Sequence, residues 1–286
     1  MKKIYFPNAW GETNVKNMFI HQTPNNSGDW GDIKSVEKKE DADFIIVQDG
    51  TNEEVDYSKV IYFGREPHYI QGINPKWLNN SCYRFFHHEK KNSWMPQTWW
   101  VGIPFDELVI MEPMDKFKNL SVIESGKRMA EGHKKRNIIL ENIISKNPYD
   151  IDVYGKITKG RENIKPYKNV LPYRKKEMGL LDYRYNLAIE NGSTDYYFSE
   201  KIVDPLLCWT MPIYWGCNKI DKFLPKGSYI EIDINKKGVE QEIIEISKSS
   251  LREDNIELIR EARDLILNKY NLWPSIKRAI TNEKMI

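Results

Sequence analysis

The chain has 286 residues and a formal net charge of +2, from 43 basic and 41 acidic side chains. A hydrophobic content of 40% and a charged content of 29% are typical of a globular protein with a core, and the length suits one large domain or two of ordinary size. Because the charges balance, no global basic field would recruit nucleic acid, and we expect no nucleic-acid partner.

The first hundred residues alternate short apolar segments with polar connections. This pattern is typical of a parallel sheet covered by helices. The composition of residues 21–32, "HQTPNNSGDWGD", predicts a loop. Strands are predicted at residues 3–6, 44–47, 60–63, 83–86 and 99–101.

A second alternating series follows a linker at residues 111–119. It predicts strands at 120–123, 152–155, 185–189, 213–215 and 229–233, and helices up to about 146 and at 175–183, 199–210, 238–248 and 253–270. We therefore predict an α/β fold of two Rossmann-like domains that face each other across a cleft. The domains are residues 1–115 and residues 116–286, the second with closing C-terminal helices. Ligands in such sheets bind at the carboxyl ends of the strands.

The cysteines and the N-terminal residues bear on the cellular compartment. Cys82, Cys208 and Cys217 are odd in number and form no CxxC motif, so we predict free thiols in a reducing compartment. The apolar stretch at the N-terminus is too short for a signal peptide, and no window approaches the roughly 20 apolar residues of a spanning helix. We expect a cytoplasmic protein with at most peripheral membrane contact.

Residues 186–216, "NLAIENGSTDYYFSEKIVDPLLCWTMPIYWG", carry the most specific pattern. Ser199 is a natural N-cap, and Glu200 and Lys201 occupy the first helical turn. A helix N-terminus offers free N–H groups and partial positive charge, which suit a phosphate. Lys201 adds a full charge, and Glu200 could accept hydrogen bonds from sugar or ribose hydroxyls. The alternative is an ordinary capped helix whose charges face water.

Five segments of this region follow one another in a characteristic order and spacing: "YNLAIEN", "DYYFSEK", "IVDPLLCWT", "MPIYWG" and "LPKGSYIEIDI". Their order and spacing resemble the donor-binding signature of the α1,3/4-fucosyltransferases, which are glycosyltransferase family 10. The resemblance is strongest from residue 120 to residue 234. Two departures occur: Ser199 replaces the usual threonine but keeps the hydroxyl, and Pro205 removes a helix hydrogen bond, so that a local kink is expected.

The resemblance implies a GT-B type fold, in which residues 1–115 bind the acceptor and residues 116–286 bind the GDP-sugar donor. It places Asn191, Tyr197, Ser199, Glu200 and Lys201 at the guanosine diphosphate or the fucose. Upstream, "SVIESGKRMAEGHKKR" resembles the stretch that brings an arginine to the pyrophosphate, and Arg136 matches it. Arg136 and Lys201 could neutralise the charge that accumulates on the departing diphosphate. The alternative for Arg136 is a solvated helix arginine.

Family members invert the anomeric centre in one displacement, which requires a single carboxylate as general base. The candidate is Glu66 in "VIYFGREPHY", directly after a predicted strand. A surface ion pair with Arg65 is the alternative. Glu190 is the competing carboxylate, although its position in a strand favours a structural or donor-side role.

The resemblance therefore implies an inverting transfer of L-fucose from GDP-fucose to an oligosaccharide acceptor, with an α1,3 linkage to a GlcNAc- or Glc-type sugar expected, in glycan biosynthesis or protein glycosylation. The alternatives are a transferase of the same fold that uses another nucleotide sugar, and a non-catalytic carbohydrate-binding protein. No Asp-x-Asp follows a predicted strand, so no cofactor and no obligatory metal are expected.

Overall fold

The computed structural model describes residues 1–9, 15–66, 75–86 and 97–281. The chain forms two compact units, each with its own sheet. The first unit comprises Met1–Thr98, Ile103–Ile110 and Leu267–Ile286, and the second comprises Trp99–Gly102 and Met111–Ile266.

The first unit is built on a sheet that, in the described residues, has six strands in the order β2-β3-β1-β4-β5-β6. All its pairings are parallel except that of β2 with β3. The strands are β1 (Lys2–Tyr5), β2 (Asp29–Trp30), β3 (Ile33–Ser35), β4 (Phe44–Gln48), β5 (Val60–Gly64) and β6 (Tyr83–Phe86), and the α-helices are α1 (Val15–Ile20), α2 (Pro75–Asn80), α3 (Phe105–Ile110) and α9 (Leu272–Thr281).

The interior strands β4 and β5 have continuous apolar sequences because both of their faces are covered. Every residue of β5 is buried, and so are the last four of β4. On one face Tyr62 stacks on Trp77 of α2, with ring centroids 6.0 Å apart and an angle of 3° between the planes. A parallel sheet buried on both faces accounts for apolar runs without polar alternation.

The last helix, α9, belongs to the first unit. Trp273 Nε1 donates to the carbonyl oxygen of Phe19 at 2.8 Å, and the ring of Trp273 meets that of Phe6 edge-on at 5.4 Å. The side chain of Asn271 donates to the carbonyl oxygen of Gln22 at 2.8 Å. The end of the chain therefore packs with the first unit, whereas the sequence analysis placed residues 116–286 in one domain.

The second unit contains a sheet that is parallel throughout the described residues, in the order β11-β10-β9-β7-β8. Its central strand, β9, is the longest, with 12 residues, and nine of them are buried. The strands are β7 (Lys118–Ile123), β8 (Asp152–Tyr154), β9 (Tyr183–Thr194), β10 (Met211–Cys217) and β11 (Ile230–Glu231), and the α-helices are α4 (Glu131–Lys146), α5 (Glu200–Leu207), α6 (Val239–Ser247), α7 (Leu251–Asp254) and α8 (Ile256–Asp264).

Four predicted elements differ from the structure. Within the predicted loop at residues 21–32, Asp29–Trp30 form β2, because they pair with β3. Residues 99–101 form no strand, because the N–H of Trp100 donates to Asp204 at 2.9 Å and that of Gly102 donates to Glu177 at 2.7 Å. The predicted helix at 175–183 is only a 3₁₀ turn, Lys176–Gly179, and the following residues enter β9. The predicted helix at 253–270 is divided into α7, α8 and a π-helical turn, Leu265–Tyr270.

Helix α5 ends at Leu207, two residues after Pro205. Among the residues that the structure describes, no helix combines the length and the apolar character needed to cross a membrane.

Candidate functional site

The carboxyl end of β9 lies against the N-terminus of α4 in the second unit. Gly132, in the first turn of α4, packs directly on the β9 backbone: a Cβ at this position would overlap the carbonyl oxygen of Glu190 and lie 2.7 Å from the carbonyl carbon of Asn191. Only a glycine permits this approach without a shift of the helix. The helix start, with its unpaired N–H groups and partial positive charge, is thereby held at the edge of the sheet where ligands bind.

The N-terminus of α5 is fixed to the same point of β9 by Glu190. The carboxylate of Glu190 accepts hydrogen bonds from the N–H of Ser199 at 2.8 Å and from its hydroxyl at 2.7 Å. Ser199 has extended backbone angles and caps the helix, as predicted, by accepting from the N–H of Lys201. Two helices of the unit therefore begin beside the same residue of β9: α4 packs on the backbone of Glu190, and α5 is bonded to its carboxylate.

Glu190 has no solvent exposure, and burial raises its pKa. The ammonium of Lys201, 3.5 Å from Glu190 Oε2, acts in the opposite direction and favours the charged form. Glu190 thus has a structural role, because it holds both the capping serine and the charged group of Lys201; a donor-side role stays a prediction.

Arg136 lies on α4 and is 3% exposed, so it is not a solvated helix arginine. Its Nη1 donates to the carbonyl oxygen of Ile189 at 2.6 Å and its Nη2 donates to Glu124 Oε1 at 3.0 Å, while Nε completes the ion pair with Glu124. Burial lowers the pKa of Arg136 to about 10, and the charges of Glu190 and Glu200 raise it, so that the guanidinium is cationic at neutral pH.

A pocket in the second unit brings the predicted charged residues together. Its walls include residues 186–189 of β9. The charged side chains around it are Arg136, Lys176, Glu200, Lys201 and Asp204. The arginine and the lysine that the sequence analysis assigned to a diphosphate therefore line one pocket, together with the carboxylate that it assigned to hydroxyl groups.

Lys176 and Asp204 are pocket residues that sequence reasoning missed. Lys176 lies in a segment that was predicted to be a regular helix, and it is one of two adjacent lysines with no motif around it. Asp204 lies on α5 in the apolar stretch "IVDPLLCWT". An acid within an apolar helical stretch is a signal of a buried, partnered carboxylate, and it could have indicated this position.

Asn191 and Tyr197 are not among the residues that line this pocket. Tyr197 is 2% exposed, and its N–H donates to the hydroxyl of Thr194 at 3.1 Å. Asn191 is also buried and lies against Gly132 of α4. Their assignment to the donor stays a prediction.

Glu66 lies in the first unit, two residues beyond the end of β5, and is half-buried. Asp49, directly after β4, holds this turn: its Oδ1 accepts from the N–H of Arg65 at 2.6 Å and from that of Glu66 at 3.1 Å. Asp49 has a positive φ of 60°, and the guanidinium of Arg65 donates to Gln48 at 3.1 Å. Glu66 therefore lies at the carboxyl edge of its own sheet, and its role as a base stays a prediction.

Within the described ranges no group of three histidine, cysteine or carboxylate side chains is arranged to hold a metal ion. The expectation of a reaction without an obligatory metal stays a prediction.

The sequence comparisons point to one family. Residues 116–246 match the profile described as "Glycosyltransferase family 10 (fucosyltransferase) C-term". The curated protein "Alpha-(1,3)-fucosyltransferase FucT" of Helicobacter pylori is 34% identical over 67 residues, which are 23% of this chain and 14% of the relative. The matched region is thus a small part of that relative's length, but it confirms the resemblance on which the sequence analysis relied.

The structural comparisons extend over nearly the whole chain. The crystal structure of an α1,3-fucosyltransferase with GDP matches with a TM-score of 0.52 and 18% identity, over 99% of this chain and 91% of that one. An α-glucosyltransferase in complex with UDP and DNA matches with a TM-score of 0.56 and 12% identity, over 98% of both chains. Likenesses at these identities show the fold, which is of the GT-B type, as predicted.

Proposed function

We propose that the chain is an inverting fucosyltransferase that transfers L-fucose from GDP-fucose to a hydroxyl group of a glycan, because residues 116–246 match the profile of glycosyltransferase family 10. The observation that carries the proposal is the pocket in the matched segment, where Arg136, Lys201 and Glu200 meet beside residues 186–189 of β9. A diphosphate requires cations there, and a sugar or ribose requires a hydrogen-bond acceptor.

The two cations have different environments, which suggests different roles. The side chain of Lys201 is 22% exposed, whereas that of Arg136 is 4% exposed and already bonded to Glu124 and to a β9 carbonyl. Lys201 is thus placed to contact a phosphate oxygen directly. Arg136 lies in the poorly solvated wall of the pocket, and its fixed positive charge stabilises negative charge on the leaving group without a movement of its side chain.

The reaction is a single displacement. A carboxylate removes the proton of the acceptor hydroxyl while its oxygen bonds to the anomeric carbon of fucose, and the bond from that carbon to the β-phosphate oxygen breaks. The electron pair of that bond stays on GDP, where the cations neutralise it. The proposal assigns the proton to Glu66, whose backbone is held by Asp49 at the carboxyl edge of the first sheet.

Transfer and binding assays test the proposal. The wild-type chain is screened by thermal shift against GDP-fucose, GDP-mannose, UDP-GlcNAc and CMP-sialic acid, because a ligand that binds the folded state raises the Tm. Transfer to GlcNAc- and Glc-terminated oligosaccharides is then followed by mass spectrometry. Preferential stabilisation by GDP-fucose, with a fucosylated product, supports the proposal. A preference for another sugar nucleotide would identify a different transferase, and glycan binding without transfer from any donor would identify a binding protein.

Glu66→Gln tests the base. We expect turnover to fall by at least about 100-fold, the typical contribution of a general base, with GDP affinity nearly unchanged. The control is Glu54→Gln, an exposed glutamate of the same unit. Equal turnover in both variants would remove Glu66 from the mechanism and leave the donor assignment intact.

A further inference from the structure

Lys176 is a charged pocket residue to which the sequence analysis and the family resemblance give no role. It opens the 3₁₀ turn Lys176–Gly179, just before β9, and its side chain is three-quarters buried. Its ammonium lies 3.1 Å from Asp204 Oδ2 and 3.4 Å from Glu200 Oε1. The lysine therefore bridges two carboxylates of α5 that lie one helical turn apart.

Asp204 is the fixed end of this bridge. It is 1% exposed, and its Oδ1 accepts from the N–H of Trp100 at 2.9 Å. The N–H of Lys176 donates in turn to the carbonyl oxygen of Trp100 at 3.3 Å. The backbone and the ammonium of Lys176 are both anchored, so a long side chain with high rotamer entropy is held in one position before any ligand binds.

Glu200 is the other end of the bridge. Its Oε1 lies 3.4 Å from the ammonium of Lys176 and 3.3 Å from that of Lys201. Two cations that approach one carboxylate oxygen restrict the rotation of the carboxyl group. The direction in which this carboxylate accepts hydrogen bonds at the pocket is therefore set by Lys176 as well as by Lys201.

We propose that Lys176 is a positioning residue of the donor site: anchored by Asp204, it orients the carboxylate of Glu200 to accept hydrogen bonds from hydroxyl groups of the sugar nucleotide. This inference rests on the proposed function, because it takes the pocket to be the donor site. It assigns Lys176 an effect that passes through Glu200 and not through the stability of the 3₁₀ turn.

A double-mutant cycle separates these two effects. GDP-fucose affinity is measured by calorimetry for the wild type, Lys176→Met, Glu200→Gln and the double variant. We expect Lys176→Met to weaken binding about 10-fold in the wild-type background and less than about 2-fold in the Glu200→Gln background, because coupled residues are not additive. Lys176→Arg, which keeps the cation, should retain most of the affinity.

The neighbouring Lys175 provides a matched control. Its side chain is half exposed and lies 3.5 Å from Glu177, so Lys175→Met removes an equal charge from the same turn without touching Glu200. Lys175→Met should bind GDP-fucose as the wild type does. If Lys176→Met weakens binding equally in both backgrounds, or lowers the Tm as its main effect, Lys176 has a structural role and the inference is wrong.

Failure of the proposed function would give a different result. If the wild type binds another sugar nucleotide of the panel, the cycle is run with that ligand, and the same coupling supports the positioning role while the fucose assignment falls. If the wild type binds GDP-fucose but Lys176→Met has no effect, only the inference falls. If the wild type binds none of the four sugar nucleotides, both the proposed function and the positioning role of Lys176 are wrong.

Discussion

Replacement of Arg136 by methionine should strongly destabilise the second unit. The side chains of Arg136 and Glu124 are 4% and 0% exposed, so the variant leaves a carboxylate in the interior without its cation. The carbonyl of Ile189 also loses its donor. Removal of one partner from a buried ion pair costs about 3–5 kcal/mol. The N–H of Gly126, 2.9 Å from Glu124 Oε1, still solvates the carboxylate and favours the lower end of this range.

At about 2–4 °C per kcal/mol for a unit of this size, the Tm should fall by roughly 6–20 °C. Differential scanning calorimetry measures the shift, with Lys134→Met, an exposed cation on the same helix, as the control. The double variant Glu124→Met/Arg136→Met should recover most of the loss, because an apolar replacement of a whole buried pair is close to neutral. A Tm for Arg136→Met within about 2 °C of the control would refute the buried pair and with it the placement of Arg136 behind the pocket.

Two further predictions concern the other pocket residues. Lys201→Gln should weaken GDP binding by about 10-fold to 150-fold, because this is the value of one hydrogen bond to a charged group. The control is Lys236→Gln, at an exposed lysine, which should leave GDP binding unchanged. Calorimetry that gives equal affinities for the two variants would contradict the phosphate contact of Lys201. Burial raises the pKa of Asp204 to about 6, so the carboxyl group of Asp204 binds its proton more tightly in the folded chain than in the unfolded chain. The stabilisation of the folded state that this proton gives at pH 4 is therefore lost as the pH rises through 6. Relative to Asp204→Asn, the wild type should therefore lose up to about 3 kcal/mol of unfolding free energy between pH 4 and pH 7 in urea titrations, and a constant difference would disprove the raised pKa.

The sequence could predict the interior strands β4 and β5 because burial on both faces leaves an unbroken apolar run. Strands β4 and β5 begin at residues 44 and 60, where the predicted apolar runs begin. Residues 99–101 have the same apolar character but pair with no strand, since the N–H groups of Trp100 and of the following Gly102 donate to carboxylates more than 70 positions away in sequence. Local composition carries no information on such distant acceptors, and the prediction failed for that reason.

The distinction between local sequence signals and distant partners also applies to the pocket residues. The N-cap at Ser199 and the charges behind it could be predicted because capping is a local property with a sequence signal. The partners of the charges could not. Glu124, in the polar stretch "ESGK", has the appearance of a surface residue, and only the fold shows that it is fully buried against Arg136. Lys176 was missed because it reaches the pocket through a turn that breaks the predicted helix.

Each cation of the pocket is paired with a buried carboxylate from another element or turn. The pairs are Arg136 with Glu124, Lys201 with Glu190, and Lys176 with Asp204. Three cations around one poorly solvated space would repel each other strongly, whereas three acids behind them remove that repulsion. The cationic groups can therefore be held in position before a ligand arrives. Since fixed charges need no reorganisation as negative charge develops, this arrangement is what transition-state stabilisation of a departing diphosphate requires.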